Sequence, residues 1–373
     1  MSDNIQTLVT GNGDQPRTLV VIFLRGAADG LSLVPPLGDD AYHRARPLIR
    51  LSRETALPLD GFFGLHPLLK ELLPAYKDGQ MAIVHAAGSE DTTRSHFEAQ
   101  DYMEHGGLAA GGWLGRFLRY GSSTAHSALA AITLGPTLPE SMRGAPAATA
   151  MESLDQYALS PDTDKLTRQL RRLYEMQRGE IATAGRETLD ALARIQTLRT
   201  TTYSPAHGAQ YDTDAFSQRL RLLAQLIKAK VGLEAASVDL GGWDSHFTQS
   251  AVMDPLILQL GRGLGAFYRD LGPAMATTSV VVMTEFGRRV AENSSFGTDH
   301  GRGSVMLALG GGIRGGRVAG TWPGLTADIL EGPGDLPVTH NYRNVLAPIL
   351  RRHGAADKLG VIFPDFQLNA LDI

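Results

Sequence analysis

The sequence predicts an α/β fold with a mainly parallel central sheet. Two observations predict it: short apolar runs rich in β-branched residues, which read as strands buried on both faces, and intervening stretches with apolar residues at three- and four-residue steps, which read as crossover helices. Composition agrees, because 43% hydrophobic and 20% charged residues over 373 positions is an ordinary globular balance.

The first strand is Thr18-Leu19-Val20-Val21-Ile22-Phe23-Leu24, a continuous apolar run ending at Arg25-Gly26. His66 to Tyr76 follows with Leu68, Leu69, Leu72 and Leu73 at helical spacing, and Met81-Ala82-Ile83-Val84-His85 is a second strand. From Thr163 to about Thr200, Leu166, Leu170, Leu173, Leu189, Leu192, Ile195 and Leu198 recur among Arg and Glu, which predicts a long amphipathic helix or a helical hairpin. Phe216 to Lys230 continues the helical pattern, so residues 160–232 read as a helical insertion or cap within one domain spanning 1–373. Leu256 to Leu271 is a further helix, and Ser279–Thr284 and Val305–Leu309 complete the set of buried strands. The last is closed by Gly310-Gly311-Gly312. Glycines cluster at such strand ends, and turns there are where parallel sheets place their sites.

Several chemistries are excluded or disfavoured. With no cysteine there are no disulfides, thiolate metal sites, cysteine nucleophiles or cysteine-derived formylglycine, so any metal must be held by His, Asp and Glu. A net charge of -4 gives no global attraction to nucleic acid or anionic lipid, although a local basic patch stays open. No run of about 18 apolar residues is present, so no membrane span is expected. The start, MSDNIQTLVTGNGDQPR, has neither a basic n-region nor an apolar h-region, which reads as cytoplasmic, or as periplasmic if an export leader has been removed. No Walker-type loop or dinucleotide fingerprint appears.

The residues that carry chemistry stand beside glycine-rich turns. Gly241-Gly242-Trp243-Asp244-Ser245-His246 sets a carboxylate and an imidazole two residues apart, on one side of an extended segment, where both can meet one cation. Glu285 ends the strand Ser279–Thr284, and Asp299-His300 offers another adjacent pair between glycines. The alternative is structural, with Glu285 paired to Arg288 or Arg302 and His300 hydrogen-bonded. Arg94-Ser95-His96 precedes a helical stretch whose N-terminus favours anions. There Ser95 reads either as a nucleophile beside Arg94 and His96, or as an N-cap completed by Glu98 in a capping box. Asp29 follows the first strand and is a further candidate ligand, or simply part of an Asp-Gly turn.

Six blocks taken together resemble the DUF1501 family, a large bacterial family in the alkaline phosphatase-like superfamily: LVVIFLRGAADG (Leu19–Gly30), RSHFEAQD (Arg94–Asp101), GGWDSH (Gly241–His246), TEFGRR (Thr284–Arg289), TDHGRG (Thr298–Gly303) and the glycines of Gly310–Gly316. The resemblance implies a three-layer sandwich with helices on both faces of the sheet. It also implies a site at the C-terminal strand edge that holds one or two divalent cations beside a Ser or Thr nucleophile. By position, Asp244 and His246 would share one ion with His300, Glu285 and Asp29 would serve a second, and Ser95 would be the nucleophile. The sequence departs from the superfamily at Phe286, where a histidine is usual, in the tight Asp244/His246 spacing, and in Asp29 lying several residues beyond the first strand. The sulfatase signature after the nucleophile is absent.

The expected activity is metal-dependent hydrolysis of a small anionic phosphate or sulfate ester, with Arg94 on the anion and His96 as an acid. The alternative is a non-catalytic binding or envelope-assembly protein on the same scaffold. Zn, Mn, Mg and Ca all suit His and carboxylate ligands. Oligomeric state is not legible.

Overall fold

The computed structural model describes residues 17–121, 128–157 and 163–369. Among them the central sheet contains β1 (Thr18–Arg25), β2 (Met81–Gly88), β3 (Ala131–Leu134), β4 (Thr149–Met151), β5 (Ala235–Gly241), β6 (Thr278–Met283), β7 (Ser304–Gly310), β8 (Arg317–Ala319) and β9 (His340–Asn341). Their spatial order is β8-β2-β7-β6-β1-β5-β3-β4, with β9 also on β2. β1 is central and pairs in parallel with β5 (Leu19 opposite Ala235) and with β6 (Leu19 opposite Ser279).

β1 explains why the fold has three layers. Val20, Ile22 and Leu24 join a core with Leu220, Leu223, Leu260 and Phe267, while Leu19, Val21 and Phe23 join another with Trp113, Phe117, Leu346 and Ile349. Alternate side chains point to opposite faces, so an unbroken apolar run needs cover on both. The principal helices are α1 (His96–His105), α2 (Trp113–Tyr120), α3 (Thr163–Met176), α4 (Glu180–Thr200), α5 (Ala215–Lys228), α6 (Gln249–Leu271) and α7 (Tyr342–Leu350). The amphipathic stretch 163–200 is a hairpin of α3 and α4, and only α4 enters the core, through Ala191 and Ile195. Around His66–Tyr76 the chain forms a 3₁₀ segment, Pro67–Leu72, followed by a short helix, Leu73–Lys77.

β7 differs from the sequence expectation. It runs antiparallel to both β2 and β6, the one reversed strand among those described. Reversal brings the loop before β7, which carries Asp299 and His300, to the rim where β1, β5 and β6 end. It also sends Gly310–Gly316 to the opposite rim, away from the site residues.

Two buried histidines, His66 and His85, and the half-buried His353 make stability sensitive to acid. Burial pushes the His85 and His66 pKa values down to about 4 and that of His353 down to about 3, against 6.5 for an unperturbed imidazole. In the interval between, the unfolded chain binds more protons than the folded one, so stability falls as pH is lowered from about 6.5 towards 4. Chemical denaturation should show a loss of several kcal/mol between pH 7 and 4. A flat profile would mean that these imidazoles are not held neutral.

Candidate metal centre

The C-terminal ends of β1, β5 and β6, the start of α1 and the loop before β7 meet at one place. Gly241 ends β5 and the chain turns through Gly242 and Trp243 to Asp244 and His246. His96 is the first residue of α1, and His300 enters from the reversed-strand side.

Asp244 is the hub. Its Oδ1 lies 3.0 Å from His246 Nε2 and 3.1 Å from His300 Nε2, while Oδ2 lies 3.5 Å from His96 Nε2. The two nitrogens His246 Nε2 and His300 Nε2 are 3.0 Å apart. Ligand atoms of His96, Asp244 and His300 fall within 4.8 Å of one another, the only such grouping of potential ligands among the described residues.

The other ring nitrogens explain why the Nε2 atoms face inward. His300 Nδ1 donates to the Arg94 carbonyl at 2.9 Å, which fixes the tautomer and leaves Nε2 as a lone-pair donor. His96 Nδ1 lies 2.8 Å from Glu285 Oε1. His246 Nδ1 faces Asp299 Oδ1 more loosely, at 3.7 Å. Imidazoles oriented from behind by carboxylate or carbonyl are the usual preparation for metal binding. The residues also pass a test of fit, because His96 Nε2 is buried without a hydrogen-bond partner and points at the Asp244 carboxylate.

Electrostatics follow the same arrangement. Burial works against the charged form of Asp244, but the hydrogen bond and positive charge of Arg288 outweigh it and bring its pKa down to about 2. Burial likewise opposes ionisation of Glu285, yet hydrogen bonds from His96, Gln100 and the Gly26 N–H hold it below the usual carboxylate range. The Glu285 hydrogen bond raises the pKa of His96, whereas burial lowers that of His300.

Several expected roles change. Glu285 does not face the cluster. Its Oε1 accepts from His96, Gln100 and Gly26, which makes it the anchor of a histidine rather than a ligand of a second ion. Asp29 is fully buried and bound by Arg46, with Ser32 and Gln249 on the same carboxylate, so it is not brought to the cluster. Its side chain also caps the short helix Gly30–Leu33. Arg94 spends its guanidinium on Asp335 and the Gly332 carbonyl, which leaves only its backbone at the site. Asp299 pairs with Arg289 at 3.1 Å. Ser95 occupies the N-cap position of α1 without the capping hydrogen bond, so its hydroxyl is uncommitted between Arg94 and His96.

The sequence reading missed Gln100 and the part played by Arg288. Gln100 lies four residues after His96, one helical turn along the same face, a spacing that could have flagged it. Arg288 is buried and donates to the carbonyls of Ala27, Gly26, Trp243 and Thr298 and to Asp244 Oδ1 at 2.9 Å. Its commitment to two separate loops leaves no local pattern. Phe286 stacks on His96, with centroids 5.0 Å apart at 24°. Gly26 is required beneath the cluster: φ is +117°, and a Cβ there would come within 2.6 Å of the Asp244 nitrogen.

No curated protein sequence matches the chain. Among solved structures it is similar to a protein in the alkaline phosphatase superfamily from Vibrio parahaemolyticus, at 10% identity and a TM-score of 0.35 over 86% of this chain and 65% of that one. It therefore spans about two thirds of that protein's length. It is also similar to the alkaline phosphatase from the Antarctic bacterium TAB5, at 10% identity and a TM-score of 0.31 over 80% of this chain and 92% of that one. The family model described as protein of unknown function (DUF1501) matches residues 80–358, about three quarters of the sequence, and the chain belongs to that family.

Proposed function

We propose that the protein is a metal-dependent hydrolase of phosphate or sulfate esters, with Ser95 as nucleophile beside one divalent ion held by His96, Asp244, His246 and His300. The observation that carries the reading is the convergence of three imidazole Nε2 atoms on one carboxylate, with the Nδ1 of His96 and of His300 hydrogen-bonded to a protein oxygen. Three imidazoles and one carboxylate suit zinc or a similar transition ion better than magnesium or calcium, which prefer all-oxygen sites. When bound, such an ion supplies Lewis acidity that lowers the pKa of a nearby hydroxyl and offsets charge on the transferring group.

The chain's own residues supply the rest. Ser95 Oγ bonds to phosphorus or sulfur as the ester's alcohol leaves, and water then hydrolyses the serine ester. The first N–H groups of α1 lack intrahelical acceptors and favour the non-bridging oxygens, a role that Arg94 cannot fill while paired with Asp335. Phe97 and Phe247 each follow a cluster histidine and are 86% and 64% exposed, which gives the surface near the cluster apolar area suited to the organic part of an ester.

The test is elemental analysis of the purified protein together with turnover of nitrophenyl phosphate and nitrophenyl sulfate. Ser95→Ala should lower turnover roughly a thousandfold or more while metal content stays unchanged. A metal-free protein that stays inert with added zinc or manganese would overturn the proposal, as would a Ser95→Ala variant as active as the parent. A second reading, ligand capture without turnover, is favoured by Phe286 standing against His96 in place of a further ligand. It predicts metal binding with no hydrolysis.

A further inference from the structure

The hairpin of α3 and α4 carries surface that its own packing leaves uncovered. Leu166 and Leu173 on α3 are 51% and 54% exposed, and Met176 and Ile181 at the tip are 83% and 81% exposed. Four of the thirteen large exposed apolar residues described thus lie within one short segment, whereas isolated ones elsewhere need no explanation. α3 packs on α4 through its other side, with Tyr174 against Gly185 and Arg171 paired to Asp190 at 2.7 Å.

Charge identifies the occupant. Residues 163–186 contain six Lys or Arg and three Asp or Glu, in a chain whose net charge is -4. At about 100° per residue, Lys165, Arg168 and Arg172 line one edge of the Leu166–Leu173–Met176 stripe, on the side away from α4. Lys165, Arg168, Arg172 and Arg178 form no ion pair among the described residues. A second copy of this chain would bring like charges together on this face. Duplex nucleic acid would use the cations but leave Leu173, Met176 and Ile181 in water. A bilayer surface with anionic headgroups satisfies both, because the cations meet the headgroups and the apolar tip enters the acyl boundary.

We propose that the α3–α4 hairpin is a peripheral docking element for an anionic membrane surface. It inserts Leu173, Met176 and Ile181 while Lys165, Arg168, Arg172 and Arg178 contact the headgroups. It lies on the surface without spanning, in keeping with the finding that no described helix is long and apolar enough to cross a membrane.

The test is co-sedimentation of the full chain with vesicles of phosphatidylcholine alone and of roughly equal parts phosphatidylglycerol and phosphatidylcholine, at low and at high salt. Binding to the anionic vesicles should exceed binding to the neutral ones at least roughly tenfold and weaken with salt. Two triple variants should each lose it: Leu173→Ser with Met176→Ser and Ile181→Ser, and Arg168→Gln with Arg172→Gln and Arg178→Gln. All these positions are exposed or at the hairpin tip, so circular dichroism and melting should match the parent. Absence of binding to anionic vesicles would overturn the proposal, as would equal binding to neutral ones. So would light scattering that finds a dimer dispersed by the serine variant, or duplex DNA binding that the serine variant leaves intact.

Discussion

Asp29→Ala is expected to destabilise the protein by about 3–5 kcal/mol, as breaking one side of a buried ion pair does. Both Asp29 and Arg46 are fully buried. Without the carboxylate, the guanidinium keeps the carbonyls of Val290 and Arg289 at 2.8 and 2.9 Å but carries an uncompensated charge. Ser32 Oγ, 2.7 Å from Asp29 Oδ2, loses its acceptor as well, and Gln249 Nε2, also at 2.7 Å, is left with Ser32 Oγ at 3.0 Å. Asp29→Asn should keep part of the hydrogen bonding and still be strongly destabilised, because the charge on Arg46 stays unmatched. Denaturant unfolding of both variants measures the effect. A loss below about 1 kcal/mol in the alanine variant would show that the pair contributes little net stability. Metal content measured on the folded fraction separates this reading from the expectation that Asp29 is a ligand: it should equal that of the parent.

Asp244→Ala has the opposite profile. The side chain is nearly half exposed, so the fold should survive, but the hub of the cluster is gone and metal affinity should fall by at least about a hundredfold. Glu285→Gln should cost about 10–100-fold in affinity, because the amide holds His96 less firmly and no longer sets its basicity. Competition with a chromophoric chelator reads both. If Glu285→Gln lost metal as completely as Asp244→Ala, the carboxylate would be acting as a direct ligand. If neither substitution changed metal uptake, the cluster would not be the binding site.

Much of the fold was legible because both-face burial leaves a plain mark: β1, β2 and β6 are built on short apolar runs and lie where the sequence predicts them. The reversed direction of β7 was not legible. A strand buried on both faces has the same composition whichever way it runs, and only its hydrogen-bonded neighbours reveal the direction. At the site, Asp244, His246 and His300 could be picked out by residue type beside glycine turns. The role of Glu285 could not, since ligand and histidine anchor are the same carboxylate at the same strand end. They differ only in whether a helix such as α1 presents an imidazole and an amide to it. Asp29 was misread for a related reason. Its partner Arg46 lies seventeen residues away and Gln249 lies 220 away, distances at which no local pattern survives.

Gly26 donates its N–H to Glu285 and accepts from Arg288 at its carbonyl, and so reaches His96 through one and Asp244 through the other. Two members of the cluster are therefore tethered to the two peptide planes that meet at one α-carbon. A change of φ or ψ at that glycine moves one plane against the other, so the placement of His96 and that of Asp244 are coupled through a single residue without a side chain.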